Sequence, residues 1–212
     1  FYNNTVAIDM RPYENHHPVS GAVYDNLSYF DKIRFINTEY FYETFEIDAF
    51  ARIIGVRGIS FRGCEFKNLF GLHFSVEEFT SDLGYGIYSI NSSFIVDQIC
   101  LDNSLPCTEY KPSIFNTLFC GIYAINTVSD KTFSVRNSIF GSYDGFSQSK
   151  VPGNLKGIYA SGIDNISITD NEFELPYNFL SLPYGIYLDN STDFIATNNY
   201  LSLIADFPLI PN

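Results

Sequence analysis

One phrase constrains the fold of this chain more than any other feature. Gly-Ile-Tyr returns four times, at Gly86-Ile87-Tyr88, Gly121-Ile122-Tyr123, Gly157-Ile158-Tyr159 and Gly185-Ile186-Tyr187. Its copies start 35, 36 and 28 residues apart, a period at which a repeated sequence builds one supersecondary unit that stacks on the next. If the isoleucines face inward, strand alternation turns the four tyrosines outward and Ser89, Ala124, Ala160 and Leu188 inward again.

A second phrase alternates apolar and polar residues and then breaks at a turn residue. Its clearest copy is Ile166-Ser-Ile168-Thr-Asp170-Asn-Glu-Phe173, and aligned copies start at Ile33, Ile59, Phe94, Phe133 and Phe194. The first and third positions point to one side of a short strand and the residues between them to the other. The fifth position is Asn37, Gly63, Gln98, Asn137, Asp170 or Asn198. All but Gln98 tolerate the left-handed backbone of a tight bend. The eighth position, Tyr40, Phe66, Leu101, Phe140, Phe173 or Leu201, returns a bulky apolar residue to the core. The pattern reads as strand, corner and strand, with each strand pairing its equivalent in the next unit about 4.8 Å away.

Helices do not fit a chain whose apolar period is two and which Gly, Pro, Asn and Asp interrupt so often. A propeller or sandwich would need tight hairpin turns at fixed offsets, and only Asp144-Gly145 has that form. Together the two phrases, from Gly21 to Leu203, resemble the parallel β-helix repeat family of secreted bacterial proteins, the pectate lyase-like superfamily. That resemblance implies an all-β, right-handed, single-stranded parallel β-helix of about six to seven coils, occupying 1–212 as one domain. The family includes polysaccharide lyases and hydrolases, epimerases, phage tailspikes, adhesins and surface stalks. The blend of Asn, Tyr, Phe and Ile without Trp also resembles large surface proteins of gliding and adherent bacteria.

At 46% hydrophobic content the chain can fill a narrow, continuous core. Val6 to Met10 followed by Gly21-Ala-Val23-Tyr24 are expected to supply an irregular first coil, with the stretch Arg11 to Pro18 a loop. Asp102 to Pro112 and Gly141 to Asn154 are expected to be insertions of the kind that build a binding face. The chain opens at Phe1 without a start methionine, signal peptide or transmembrane stretch, and ends at Pro211-Asn212 without an obvious cap. The expectation is an exported, trimmed piece of something longer, continuous with further coils or domains. A disulfide between Cys100 and Cys107 would close a short loop, while Cys64 and Cys120 read as small core residues.

A formal charge of -12 counts against nucleic acid and anionic membranes, which reward clustered Lys and Arg. No metal motif is present, and with only His16, His17 and His73 a histidine metal site or a catalytic triad has few members to draw on. Calcium is the one cofactor that the corner carboxylates leave open, although turn chemistry already explains them. Five Asn-x-Ser/Thr sequons, at Asn3, Asn26, Asn91, Asn165 and Asn190, matter only in a eukaryotic source.

Two outer-face constellations remain. Tyr88, Tyr123, Tyr159 and Tyr187 form either a ladder for carbohydrate or a protein partner, or a purely stabilising aromatic stack. Arg62, Asp97 and Arg136, at the fourth position of successive corner phrases, form either a cross-strand ion ladder or, in a lyase-like groove, the machinery for a uronic acid. The expected function is a non-catalytic segment of a secreted or cell-surface protein, adhesin- or stalk-like. The alternatives are a polysaccharide lyase or glycoside hydrolase, and a cargo or passenger segment of a secretion system.

Overall fold

The computed structural model describes residues 1–13, 15–25, 27–38, 48–69, 83–102, 104–128, 130–141, 154, 156–176 and 183–204. Its regular elements are β-strands; among the described residues no α-helix occurs, so none is long and apolar enough to cross a membrane. Three six-stranded parallel sheets account for nearly all of them. The first holds Val6–Met10, Ala49–Ile54, Tyr85–Ile90, Cys120–Ile125, Lys156–Ser161 and Tyr184–Asp189. The second holds Tyr29–Asp31, Arg57–Arg62, Ser93–Asp97, Phe133–Arg136, Ser167–Thr169 and Ile195–Thr197. The third holds Arg34–Thr38, Glu65–Leu69, Ser113–Asn116, Ser138–Phe140, Glu172–Pro176 and Tyr200–Ile204. The chain passes through the first, second and third sheets in turn and then returns to the first, so each circuit lays one strand on every sheet.

The registers place like on like. Ile87, Ile122, Ile158 and Ile186 pair in one row, and Tyr88, Tyr123, Tyr159 and Tyr187 in the next. Inside, the third-sheet row Phe35, Phe66, Phe115, Phe140 and Phe173 forms a continuous stack, with ring centroids 4.8, 4.8, 4.7 and 4.8 Å apart. Phe1 extends it by one ring, 5.2 Å from Phe35, while Tyr2 pairs in parallel with Ile36. The glycine of the Gly-Ile-Tyr phrase exists because of this stack. A Cβ at Gly86, Gly121 or Gly157 would lie 2.6 Å from a Cδ1 of Phe115, Phe140 or Phe173, closer than real Cβ atoms come.

The corner between the second and third sheets is made as the turn residues require: φ is +60° at Gly63, +51° at Asn137, +58° at Asp170 and +55° at Asn198. Gln98, the misfit of the series, is not among the positive-φ residues. A buried and a half-buried amide, Asn171 and Asn199, bridge successive corners. Asn171 Nδ2 donates to Val135 O at 3.0 Å and its Oδ1 accepts from Ser138 N at 3.0 Å, and Asn199 repeats both bonds one circuit on, to Ile168 O and from Asn171 N. Each amide thereby satisfies backbone groups that the bend removes from the sheets.

Three expectations need correction. In the first circuit the strand pair is Tyr29–Asp31 and Arg34–Thr38: Phe30 pairs with Phe61, Phe35 with Phe66, and the left-handed corner is Lys32 at φ +57°, not Asn37. Asn37 instead lies buried in a strand, its amide bonded to Asn4, and Tyr40 falls outside the described residues. Gly21 to Tyr24 contributes no core strand. Val23–Tyr24 pairs antiparallel with Asn15–His16, within the stretch expected to be a loop. In the third circuit Leu101 does not return to the core, because Ile99–Cys100 turns outward as an antiparallel ribbon with Tyr110–Lys111, and Phe115 takes the place expected of Leu101. Of the second proposed insertion only Gly141 and Asn154 lie within the described residues.

Candidate functional site

The outer face of the first sheet carries the tyrosine row. Successive ring centroids lie 5.4, 4.6 and 5.4 Å apart, with interplanar angles of 9°, 10° and 7°. Such stacking spends the ring faces on one another, so a ligand meets ring edges and hydroxyls rather than open faces. A second row, missed in the sequence, supports the first. Tyr85 packs 5.4 Å from Tyr88, 5.2 Å from Tyr123 and edge-on to Phe119 at 5.8 Å. The Lys156 ammonium lies over the Phe119 ring at 4.3 Å and the Tyr184 ring at 5.5 Å, a cation–π arrangement. The signal for this row was present: the residue before each repeated glycine is Tyr85, Cys120, Lys156 or Tyr184. Tyr85 and Tyr184 reach the outer face because the inward-turned glycine lets two residues in succession face the core. Burial pushes the Tyr85 phenol up to about 12 and raises those of Tyr123 and Tyr184. The row continues below Tyr88 as Arg52 and Asp9, with Arg52 bonded to Asp9 at 2.9 Å and to Asp48 at 2.9 Å.

On the second sheet the fourth-position residues align as Asp31, Arg62, Asp97, Arg136, Thr169 and Thr197. Arg62 does not use Asp97. It forms a two-pronged bond to Asp31, at 2.6 and 2.7 Å, with its guanidinium 4.3 Å from the centre of the Tyr29 ring. Asp97 is paired with Arg136 at 2.6 Å and also accepts from Asn137 Nδ2 and Gln98 N. Asp31 was hidden by the misplaced first register. Each arginine is thus paired with a carboxylate one rung away, as in a cross-strand ion ladder. Arg57 makes a longer tie, to Asp25 at 2.9 Å and Asp130 at 2.7 Å.

The remaining candidates are the cysteines, the histidines and the sequon asparagines. Cys64 and Cys120 are buried free thiols, pushed by burial up to about 11 and about 12, the behaviour of inert core cysteines. Cys100 and Cys107 form a disulfide. Within the loop they close, Asp102 accepts from Ser104 Oγ at 2.6 Å, from Thr108 N at 3.1 Å and from Thr108 Oγ1, and these bonds hold its carboxyl well below the usual range. Cys100, Asp102 and Cys107 are the one cluster of metal-ligating types among the described residues. Its two sulfurs are bonded to each other and offer no thiolate. His17 Nδ1 faces the backbone N–H groups of Val19 and Ser20 in its own turn, and His73 lies outside the described residues. Of the sequon asparagines, Asn3, Asn91, Asn165 and Asn190 all adopt positive φ, while Asn26 lies outside the described residues.

In comparisons with known proteins, no family model, no curated protein and no solved structure matches the chain.

Proposed function

We propose that the chain is a right-handed, single-stranded parallel β-helix segment of a secreted or cell-surface protein, non-catalytic, binding carbohydrate or protein through its tyrosine-bearing face and continuing into further coils of a larger chain. The observation that carries this reading is the contrast between outer faces. Among the described residues the fourth-position charges of the second sheet are paired between rungs, whereas the first sheet presents an unbroken row of four tyrosines. Parallel strands joined by crossovers support the handedness through the strong bias of such connections. The Cys100–Cys107 disulfide supports an oxidising compartment. Tyrosine hydroxyls at regular intervals along one line suit a ligand that itself repeats, such as an extended glycan.

A glycan array run beside reducing-end and unsaturated-product assays on the same preparation tests the proposal. Binding without turnover, lost on combined Tyr123→Ala and Tyr159→Ala substitution in a protein that keeps its far-ultraviolet spectrum, is the expected result. Cleavage that disappears on Arg136→Ala would replace it with the enzyme reading.

A further inference from the structure

Two residues further along each first-sheet strand lies another outer row, Ile54, Ile90, Ile125, Ser161 and Asp189, paired rung to rung. Strand residues two apart on one face are separated by about 6.6 Å, so this row and the tyrosine row bound a straight groove. Its floor is the backbone of Ser89, Ala124, Ala160 and Leu188, whose side chains pack inward. One wall is the edges of four stacked tyrosines. The other is aliphatic at Ile90 and Ile125 and turns polar at Ser161 and Asp189. Asp189 accepts a hydrogen bond from Ser161 Oγ at 3.2 Å and has no ion-pair partner among the described residues. The cations of this sheet among the described residues are committed elsewhere: Arg52 to Asp9 and Asp48, and Lys156 to the rings of Phe119 and Tyr184 on the far side of the tyrosine row.

We infer that this groove binds planar, elongated aromatic cations lying along the stack. The tyrosine edges form one straight flank along which a flat ligand lies lengthwise, its charged end at Asp189 and away from the edges, which carry positive partial charge. The isoleucine wall offers no hydrogen bond and so selects a conjugated plane over a hydroxylated chain. The carboxylate of Asp189 supplies the charge at one end, and the -12 net charge of the protein favours the approach of a cation. Length matches too: the three rungs from Tyr88 to Tyr187 cover about 14 Å, the length of a rod in which a fused ring pair is linked to a third ring.

Thioflavin T is the probe, titrated by fluorescence and by equilibrium dialysis into protein shown to be monodisperse by size-exclusion chromatography. Saturable binding at one site with enhanced emission is expected. Ile125→Lys, which places a cation in the wall and leaves both ring stacks in place, should weaken binding at least about tenfold. Asp189→Asn should weaken it about threefold and reduce its salt dependence. Asp189→Asn should at the same time leave glycan binding through the tyrosine hydroxyls unchanged, so the two ligand readings fail separately. No saturable binding by the folded protein, or binding indifferent to Ile125→Lys, overturns the inference.

Discussion

The phenylalanine stack of the core and the tyrosine stack of the outer face run in the same direction with nearly the same geometry, rings 4.6 to 5.4 Å apart and within 13° of parallel. They differ in what the ring edges meet. Phe35, Phe66, Phe115, Phe140 and Phe173 are at most 1% exposed, and glycine backbone closes on Phe115, Phe140 and Phe173; Tyr187 at the end of the outer row is 47% exposed. Ring spacing in both follows from the strand-to-strand distance of a parallel sheet, so stacking alone does not separate a structural row from a binding one. Burial of the edge does.

That contrast can be broken at several points. The largest effect is expected from Phe115→Ala, which empties the centre of the inner stack and should cost about 3–5 kcal/mol in denaturant unfolding. A loss no greater than that of Tyr123→Ala would erase the distinction between the two stacks. Next comes Asn137→Leu, which forces a branched side chain into φ +51° and should cost about 1–2 kcal/mol. Ser134→Leu, on the open face of the same strand, should stay within about 0.5 kcal/mol, and equal effects would contradict the corner register. Tyr123→Ala should cost about 0.5–1 kcal/mol, the worth of cross-strand aromatic neighbours. The smallest effect concerns Glu65. Burial works to raise its carboxyl, but bonds from Lys111 and Arg34, each at 2.8 Å, outweigh this and hold it below its ordinary value. The stability it contributes is therefore complete above the ordinary carboxyl range and is lost as pH falls through the lowered one. Unfolding midpoints followed downward from neutral pH should show a shallower acid decline in Glu65→Gln than in the parent.

Where residue type and backbone need coincide, the fold could be read directly. Gly63, Asn137, Asp170 and Asn198 are both turn formers and left-handed corners, and each stands two residues after an inward-facing apolar side chain. Lys32 defeated the same reasoning, because a lysine at a left-handed position carries no signal, while Ile33-Arg-Phe35-Ile-Asn37 imitates the phrase five residues too late. Leu101 failed for a different reason: period-two alternation cannot tell a strand that continues along the circuit from one that leaves it as a ribbon. The site followed the fold. The tyrosine row was visible as soon as the repeat was aligned, Asp31 was lost with the first register, and the Tyr85, Phe119 and Lys156 support required knowing that glycine faces the phenylalanine stack.

The ribbon that leaves the third circuit at Ile99 and returns at Lys111 has a consequence for engineering. Ser113 rejoins the stack opposite Ser138, and its hydroxyl accepts from Cys64 N at 3.2 Å and donates to Asp97 O at 2.7 Å, so the circuit above and the circuit below are stitched as though nothing had been inserted. The corner between the second and third sheets is therefore a grafting port. Foreign loops of different lengths, carried on the ribbon of Ile99–Cys100 and Tyr110–Lys111, should be displayed there with the rows of the scaffold kept.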